Sequence, residues 1–136
     1  MNILIIGAFG NIGTTLIEKL KNKHLLTITV VNITSMNESQ FDNCKIKKLD
    51  ITSFDECKKI INNNIDIVIH LAGTPNPNAS FHEVLNLNIV GTYNDFMASI
   101  GANVKKVIFA SSAQTIEGYP NDKQVSENDV TKPGNF

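Results

Sequence analysis

Apolar residues along this 136-residue chain fall into two alternating kinds of run. The first kind is short, nearly continuous and rich in Ile, Val and Leu, as a parallel strand buried on both faces requires. Residues 3–6, 27–33, 66–71 and 106–110 are of this kind, and 45–49 is a shorter, more polar strand. The second kind is spaced at three and four residues. Residues 14–21 carry Leu16, Ile17 and Leu20 on one side, as an amphipathic helix does. A capping box, Ser53 to Glu56, opens a helix whose apolar side holds Phe54, Cys57, Ile60 and Ile61, and Asn62-Asn63-Asn64 stops it. A second box, Ser80 to Glu83, opens a long helix reaching about Ile100. Its apolar stripe is expected to run through Phe81, Val84, Leu85, Ile89, Tyr93, Phe96 and Ile100. Residues 35–43 and 74–79 read as loops, and the chain is turn-rich from Ser111 onward, with Pro120 and Pro133. Strands and helices alternate, so the expectation is one α/β domain, a three-layer arrangement around a parallel sheet that stops after about the fifth strand.

The first strand runs into Gly7-x-x-Gly10-x-x-Gly13 and then into a helix. Strand, glycine turn and helix together make a phosphate cradle. Gly7 allows the turn, Gly10 allows close approach of a pyrophosphate, and Gly13 lets the helix pack on the strand. Free N–H groups near Asn11 and Ile12, with Phe9 beside them, would face the anion. In an open parallel sheet ligands sit beyond the carboxyl ends of the strands. The other strand ends carry Asn32, Asp50-Ile51, Leu71-Ala72-Gly73 and Ser111-Ser112. In such folds an acidic residue about twenty positions past the glycines bonds the ribose hydroxyls. Here that place falls to Asn32, an amide, and no cation follows it at 34–37, which favours NAD over NADP.

Composition narrows the classes. A net charge of −1 gives no reason to expect nucleic acid or an acidic membrane surface as partner. The chain has no arginine, which removes the usual bidentate fork for phosphate or carboxylate. Cys44 and Cys57 form no CxxC and suggest thiols in a reducing compartment rather than a zinc site. No His, Cys and carboxylate spacing suggests a metal. The strand beginning at residue 2 leaves no room for a signal peptide, and no apolar run spans a membrane, so a cytoplasmic protein is expected.

Several of these stretches resemble the extended short-chain dehydrogenase/reductases, the NAD-dependent epimerase/dehydratase family. Beyond the glycines they are His70-Leu71-Ala72-Gly73, Asp50-Ile51, Asn88-Ile89-Val90-Gly91-Thr92-Tyr93-Asn94 and Val107-Ile108-Phe109-Ala110-Ser111-Ser112. The resemblance implies a Rossmann fold and an enzyme acting on a sugar, sugar acid or nucleotide-sugar by hydride transfer. It implies that Gly7, Phe9, Gly10, Asn11, Ile12, Gly13, Asn32, Asp50, Ile51, Leu71, Ala72, Gly73, Asn88 and Ser111 meet NAD, and that Ser112 is the active-site serine. Asn88 reads equally as a buried asparagine holding backbone groups, and the serines could simply end a strand. Within the family, Thr115-Ile116, Gly118, Tyr119-Pro120 and Pro133-Gly134 are most similar to hexuronate dehydrogenases, although Ala113-Gln114 replaces their Asn-His. The family's Tyr-x-x-x-Lys pair is expected beyond Phe136. Tyr119 and Lys123 have the spacing, but Pro120 and Asn121 make that stretch a turn. A free fifth-strand edge at 107–109 is expected to invite pairing with another chain, and a homodimer is allowed. The alternatives are a dinucleotide-binding or sensor module without chemistry, or an inactive truncated product.

Overall fold

The computed structural model describes residues 1–31 and 41–134. Strands β1 (Asn2–Ile6), β2 (Leu25–Val30), β3 (Cys44–Lys48), β4 (Ile67–His70) and β5 (Lys106–Phe109) form one sheet in the order β3-β2-β1-β4-β5. All pairings are parallel, with Leu4 opposite both Thr27 and Val68. The order reverses direction between β1 and β4, the place where such sheets open a crevice. This is a Rossmann-like α/β fold.

Period-two alternation along β1 serves both faces. Ile3 and Ile5 pack with Ile17 of α1 (Asn11–Leu20) and with Leu26 and Ile28. Leu4 and Ile6 pack on the other face with Cys57 of α2 (Phe54–Ile60), Ile61, Val68 and Ala98. The Ser53 hydroxyl accepts from Glu56 N–H at 3.3 Å, as the capping box predicts. The Glu56 carboxylate does not return to Ser53. It takes the Asp50 N–H at 2.9 Å, while Ser53 N–H donates to Asp50 O. The asparagine stop is real: Asn64 N–H closes onto Asn62 Oδ1 at 3.0 Å.

The second strand begins earlier than the apolar run suggested, because Leu25 pairs beside Asn2. It ends at Val30. Most of the 35–43 loop, with Ile33 and Asn32, lies outside the described residues. The first helix starts at Asn11 rather than Thr14.

The long helix corrects the sequence reading most. It consists of α3 (Phe81–Val84), a π-helical segment (Leu85–Val90) and α4 (Gly91–Gly101). The expected apolar stripe is not the buried face. Phe81, Ile89, Tyr93 and Ile100 are 72%, 57%, 62% and 69% exposed, and Val84, Leu85 and Phe96 are half-buried. The face turned inward is Gly91, Asn94, Asp95, Ala98 and Ser99. Small residues win there because the helix approaches closely: a Cβ on Gly91 would stand 2.5 Å from Ile51 Cδ1. Asn94 Nδ2 donates to Ile51 O at 3.0 Å and Thr52 O at 3.1 Å and Asp95 Oδ2 meets His70 Nδ1, while Ser99 Oγ has no partner among the described residues. Ile108 and Phe109 on the edge strand β5 are also about half exposed. Among the described residues no helix is long and apolar enough to cross a membrane.

Candidate functional site

The site is built on the turn between β1 and α1. Gly7 holds φ +80°, and a Cβ there would meet Ala72 N and Leu71 C at 2.6 Å, so the turn lies directly against the end of β4. A Cβ on Gly13 would stand 2.4 Å from Ala8 O, which fixes how closely α1 packs on the turn. Gly10 differs from both. Its backbone (φ −73°, ψ 168°) suits any residue, and a Cβ would meet nothing nearer than Gly7 O at 3.6 Å. The fold itself does not need glycine at position 10.

Gly10 is also the N-cap of α1, and no side chain caps that end. No acidic residue lies in the first turn, and the Thr14 hydroxyl turns back to the carbonyls of Gly10 and Asn11. The first-turn N–H groups and the positive end of the helix dipole are thereby left available to an anion.

Beside this helix end is a cleft of about 1170 Å³. Its wall brings together Gly7, Phe9, Gly10, Asn11, Ile12, Gly13, Asp50, Ile51, Leu71, Ala72 and Gly73, all expected at the site. It also takes in Thr29, Val30 and Val31 from the end of β2, Thr52, Pro75, Glu83, Asn86, Leu87 and Ala110, which sequence reasoning did not select. The strand-end rule extended by a residue each way would have found Val31, Thr52 and Ala110. Glu83 and Asn86 carry no local signature and reach the wall through the path of α3 and the π segment. Among the described residues, the charged ones lining the cleft are Asp50 and Glu83. Asp50 Oδ1 is held by the Thr52 N–H and hydroxyl at 2.9 and 2.7 Å.

Asn88 stands behind the wall rather than on it. Its Oδ1 accepts from Thr74 N–H at 2.7 Å and its Nδ2 donates to Thr74 O at 3.3 Å. A Cβ on Gly73 would meet that same Oδ1 at 2.9 Å. Ser111 and Ser112 are exposed just past Ala110 and do not line the cleft. Ser112 Oγ accepts from Gln114 N–H at 3.2 Å and opens a short 3-10 turn, Ala113–Ile116. Asn32 is outside the described residues.

Tyr119 and Lys123 do not form a reactive pair. The Tyr119 hydroxyl donates to Val130 O at 2.8 Å. Lys123 Nζ lies over the ring face at 4.2 Å and pairs with Asp129. That lysine, with Ser126, holds the Asp129 carboxyl down at about 2. Both cysteines are free thiols; burial, reinforced by Asp95, pushes Cys57 up to about 11. His70 is wholly buried and hydrogen-bonded, a packed residue behind the cleft. Among the described residues no three His, Cys, Asp or Glu side chains are grouped to hold a metal.

Comparison with known proteins gives three informative likenesses. L-arabinose 1-dehydrogenase (NAD(P)(+)) of Haloferax volcanii is 31% identical over 117 residues, covering 86% of this chain and 43% of that protein. Uronate dehydrogenase of Pseudomonas syringae pv. tomato is 27% identical over 135 residues, covering 98% of this chain and 48% of the relative. The crystal structure of a uronate dehydrogenase from Agrobacterium tumefaciens, complexed with NAD, superposes with a TM-score of 0.84. At 23% identity over 97% of this chain and 48% of that one, this last is a likeness of fold. The chain thus spans about half the length of the curated relatives it matches. One sequence profile matches residues 3–135, that of the NAD dependent epimerase/dehydratase family, and the chain belongs to that family.

Proposed function

We propose that this chain binds NAD in the strand-end cleft and forms the cofactor-binding part of a cytoplasmic oxidoreductase or epimerase. Its substrate would be a sugar, sugar acid or nucleotide-sugar. The observation that carries this reading is convergence: three separated motifs, 7–13, 50–51 and 71–73, meet in one cleft beside an uncapped helix N-terminus. An uncapped N-terminus beside an unobstructed Gly10 suits a pyrophosphate. The match to L-arabinose and uronate dehydrogenases supports sugar chemistry.

NAD is preferred over NADP because, among the described residues, the charged ones lining the cleft are Asp50 and Glu83 and no lysine lines it. A 2′-phosphate would meet negative charge without a counter-ion. When bound, NAD supplies the hydride acceptor. The first turn of α1 holds its phosphates, Asp50 and Ile51 meet the adenine, and Leu71-Ala72-Gly73 lines the phosphate and ribose. Asn88 holds that turn; Asn32 would meet the adenosine ribose, and Ser111 and Ser112, which follow Ala110 of the cleft wall, would meet the cofactor and the substrate hydroxyl. The outer face of the long helix is the surface a homodimer would cover.

A second reading, a dinucleotide-binding module without chemistry of its own, is favoured by one observation. Tyr119, the tyrosine with a lysine four residues on, is committed to Val130 and its lysine to Asp129. Isothermal titration of the chain with NAD and NADP tests the cofactor reading. One NAD per chain is expected, with NADP weaker. No heat at about 1 mM NAD, weaker than about −4 kcal/mol, would sink it. Turnover of sugars by a protein containing this chain then separates enzyme from module.

A further inference from the structure

Two titratable side chains lie wholly inside the molecule and take no part in the cleft wall. His70 ends β4 and Asp95 sits on the inner face of α4; both side chains are 0% exposed. His70 Nδ1 stands 2.5 Å from Asp95 Oδ2. A carboxylate only accepts, so Nδ1 carries the proton between them. The other ring nitrogen, Nε2, is 3.2 Å from Thr92 Oγ1. Both nitrogens are therefore tied to α4, and Phe96 and Phe109 pack about the ring with centroids at 6.3 and 5.7 Å. Asp95 Oδ1 and, one helical turn on, Ser99 Oγ are buried without a partner.

The imidazole hangs from the backbone point where the cleft opens. His70 O accepts from Ala110 N–H at 3.0 Å, and the next residue, Leu71, donates its N–H to Ile6 O at 2.8 Å. Ile6, Leu71, Ala72, Gly73 and Ala110 all line the cleft. Anchoring His70 thus anchors the ends of β1, β4 and β5 together. A buried His–Asp pair is a poor device for stability alone, since well-packed apolar side chains do as well or better. It is a good device for holding one ring in one plane.

We propose that Asp95 is a positioning residue: through His70 it fixes the Leu71-Ala72-Gly73 wall on which the cleft's ligand lies. The ligand part of this rests on the cofactor reading above; the wall part does not. The test uses the full chain with Asp95→Leu, which keeps bulk and removes the acceptor, and Asp95→Asn. The asparagine keeps an oxygen for Nδ1–H and can turn its amide toward Ser99 Oγ. Thr92→Val, which removes only the partner of Nε2, serves if Asp95→Leu does not fold.

For Asp95→Leu, which leaves His70 Nδ1–H buried without an acceptor and so lowers the melting temperature, amide exchange at Leu71 and Ala110 should speed up about tenfold more than at Val68. Its NAD affinity should fall about tenfold, and Asp95→Asn should restore both readings to within about threefold. Thr92→Val should move the same readings in the same direction, by less. Wild-type exchange and affinity in both Asp95→Leu and Thr92→Val would overturn the proposal. So would exchange that rises equally at Val68, Leu71 and Ala110, the mark of a merely structural pair. If the wild type binds no NAD, the cofactor reading fails, and exchange at Leu71 and Ala110 alone decides the positioning role.

Discussion

At the scale of single residues, the glycines of the first turn have different reasons to be glycine. Gly7 is required by the protein itself, both by its φ of +80° and by the β4 backbone 2.6 Å from where a Cβ would go. Gly101 has nothing within 4 Å. Gly7→Ala should therefore cost about 3 kcal/mol, combining left-handed strain with a backbone clash. Gly101→Ala should change stability by less than about 0.5 kcal/mol or raise it slightly. Urea unfolding checks both: the midpoint of Gly7→Ala falls at unchanged slope. Equal midpoints for the two variants would contradict the packing described for the turn. The sequence motif assigned the three glycines different roles, turn, ligand approach and helix packing, without fixing any distance. Distances from the surrounding backbone separate them, because close approach is a property of two chain segments and no single stretch encodes it.

At the scale of elements, the strands and the span of the long helix from its Ser80 cap were legible, and the face that helix buries was not. Strands β1 and β4 are buried on both faces, so their apolar runs are continuous and unmistakable. Their ends were less legible because pairing decides them, as Leu25 beside Asn2 shows for β2. In the long helix the apolar period was present but read onto the wrong side. A close helix–sheet approach selects Gly91, Ala98 and Ser99, and strand-end turns select Asn94 and Asp95, whose partners lie far away in sequence. The π segment has no local signature at all. It shifts the helix register between the cap at Ser80 and the inner face of α4, and Asn86 and Leu87 reach the cleft from it.

The outcome is an exposed stripe of Phe81, Ile89, Tyr93 and Ile100 with no charged member. Two copies can pack such stripes about a two-fold axis without like-charge repulsion. Sedimentation velocity should show a dimer for the wild type and a monomer of unchanged melting temperature for Ile89→Lys. A wild type that sediments as a monomer at about 100 µM would remove the homodimer, since stable interfaces hold well below that.

At the scale of the whole molecule, the sheet gathers strand ends as far apart in sequence as Gly7 and Ala110 into one cleft at its switch point. Eleven residues chosen from the sequence lie on the wall, because each follows a strand end and the parallel sheet puts all strand ends on one side. Those that miss it do so for physical reasons. Asn88 is spent on Thr74, and Ser111 and Ser112 follow Ala110, the last residue of that strand end on the wall. The cleft is proposed to admit a dinucleotide pressed against the first turn of α1. Gly10→Ala tests it most directly, because the fold has room for that methyl group and a closely bound pyrophosphate does not. The measurement is NAD affinity by isothermal titration, with the melting temperature of the same samples. The account predicts a loss of at least about tenfold, or 1.4 kcal/mol, at an unchanged melting temperature. Gly10→Ala binding NAD as tightly as the wild type would contradict it.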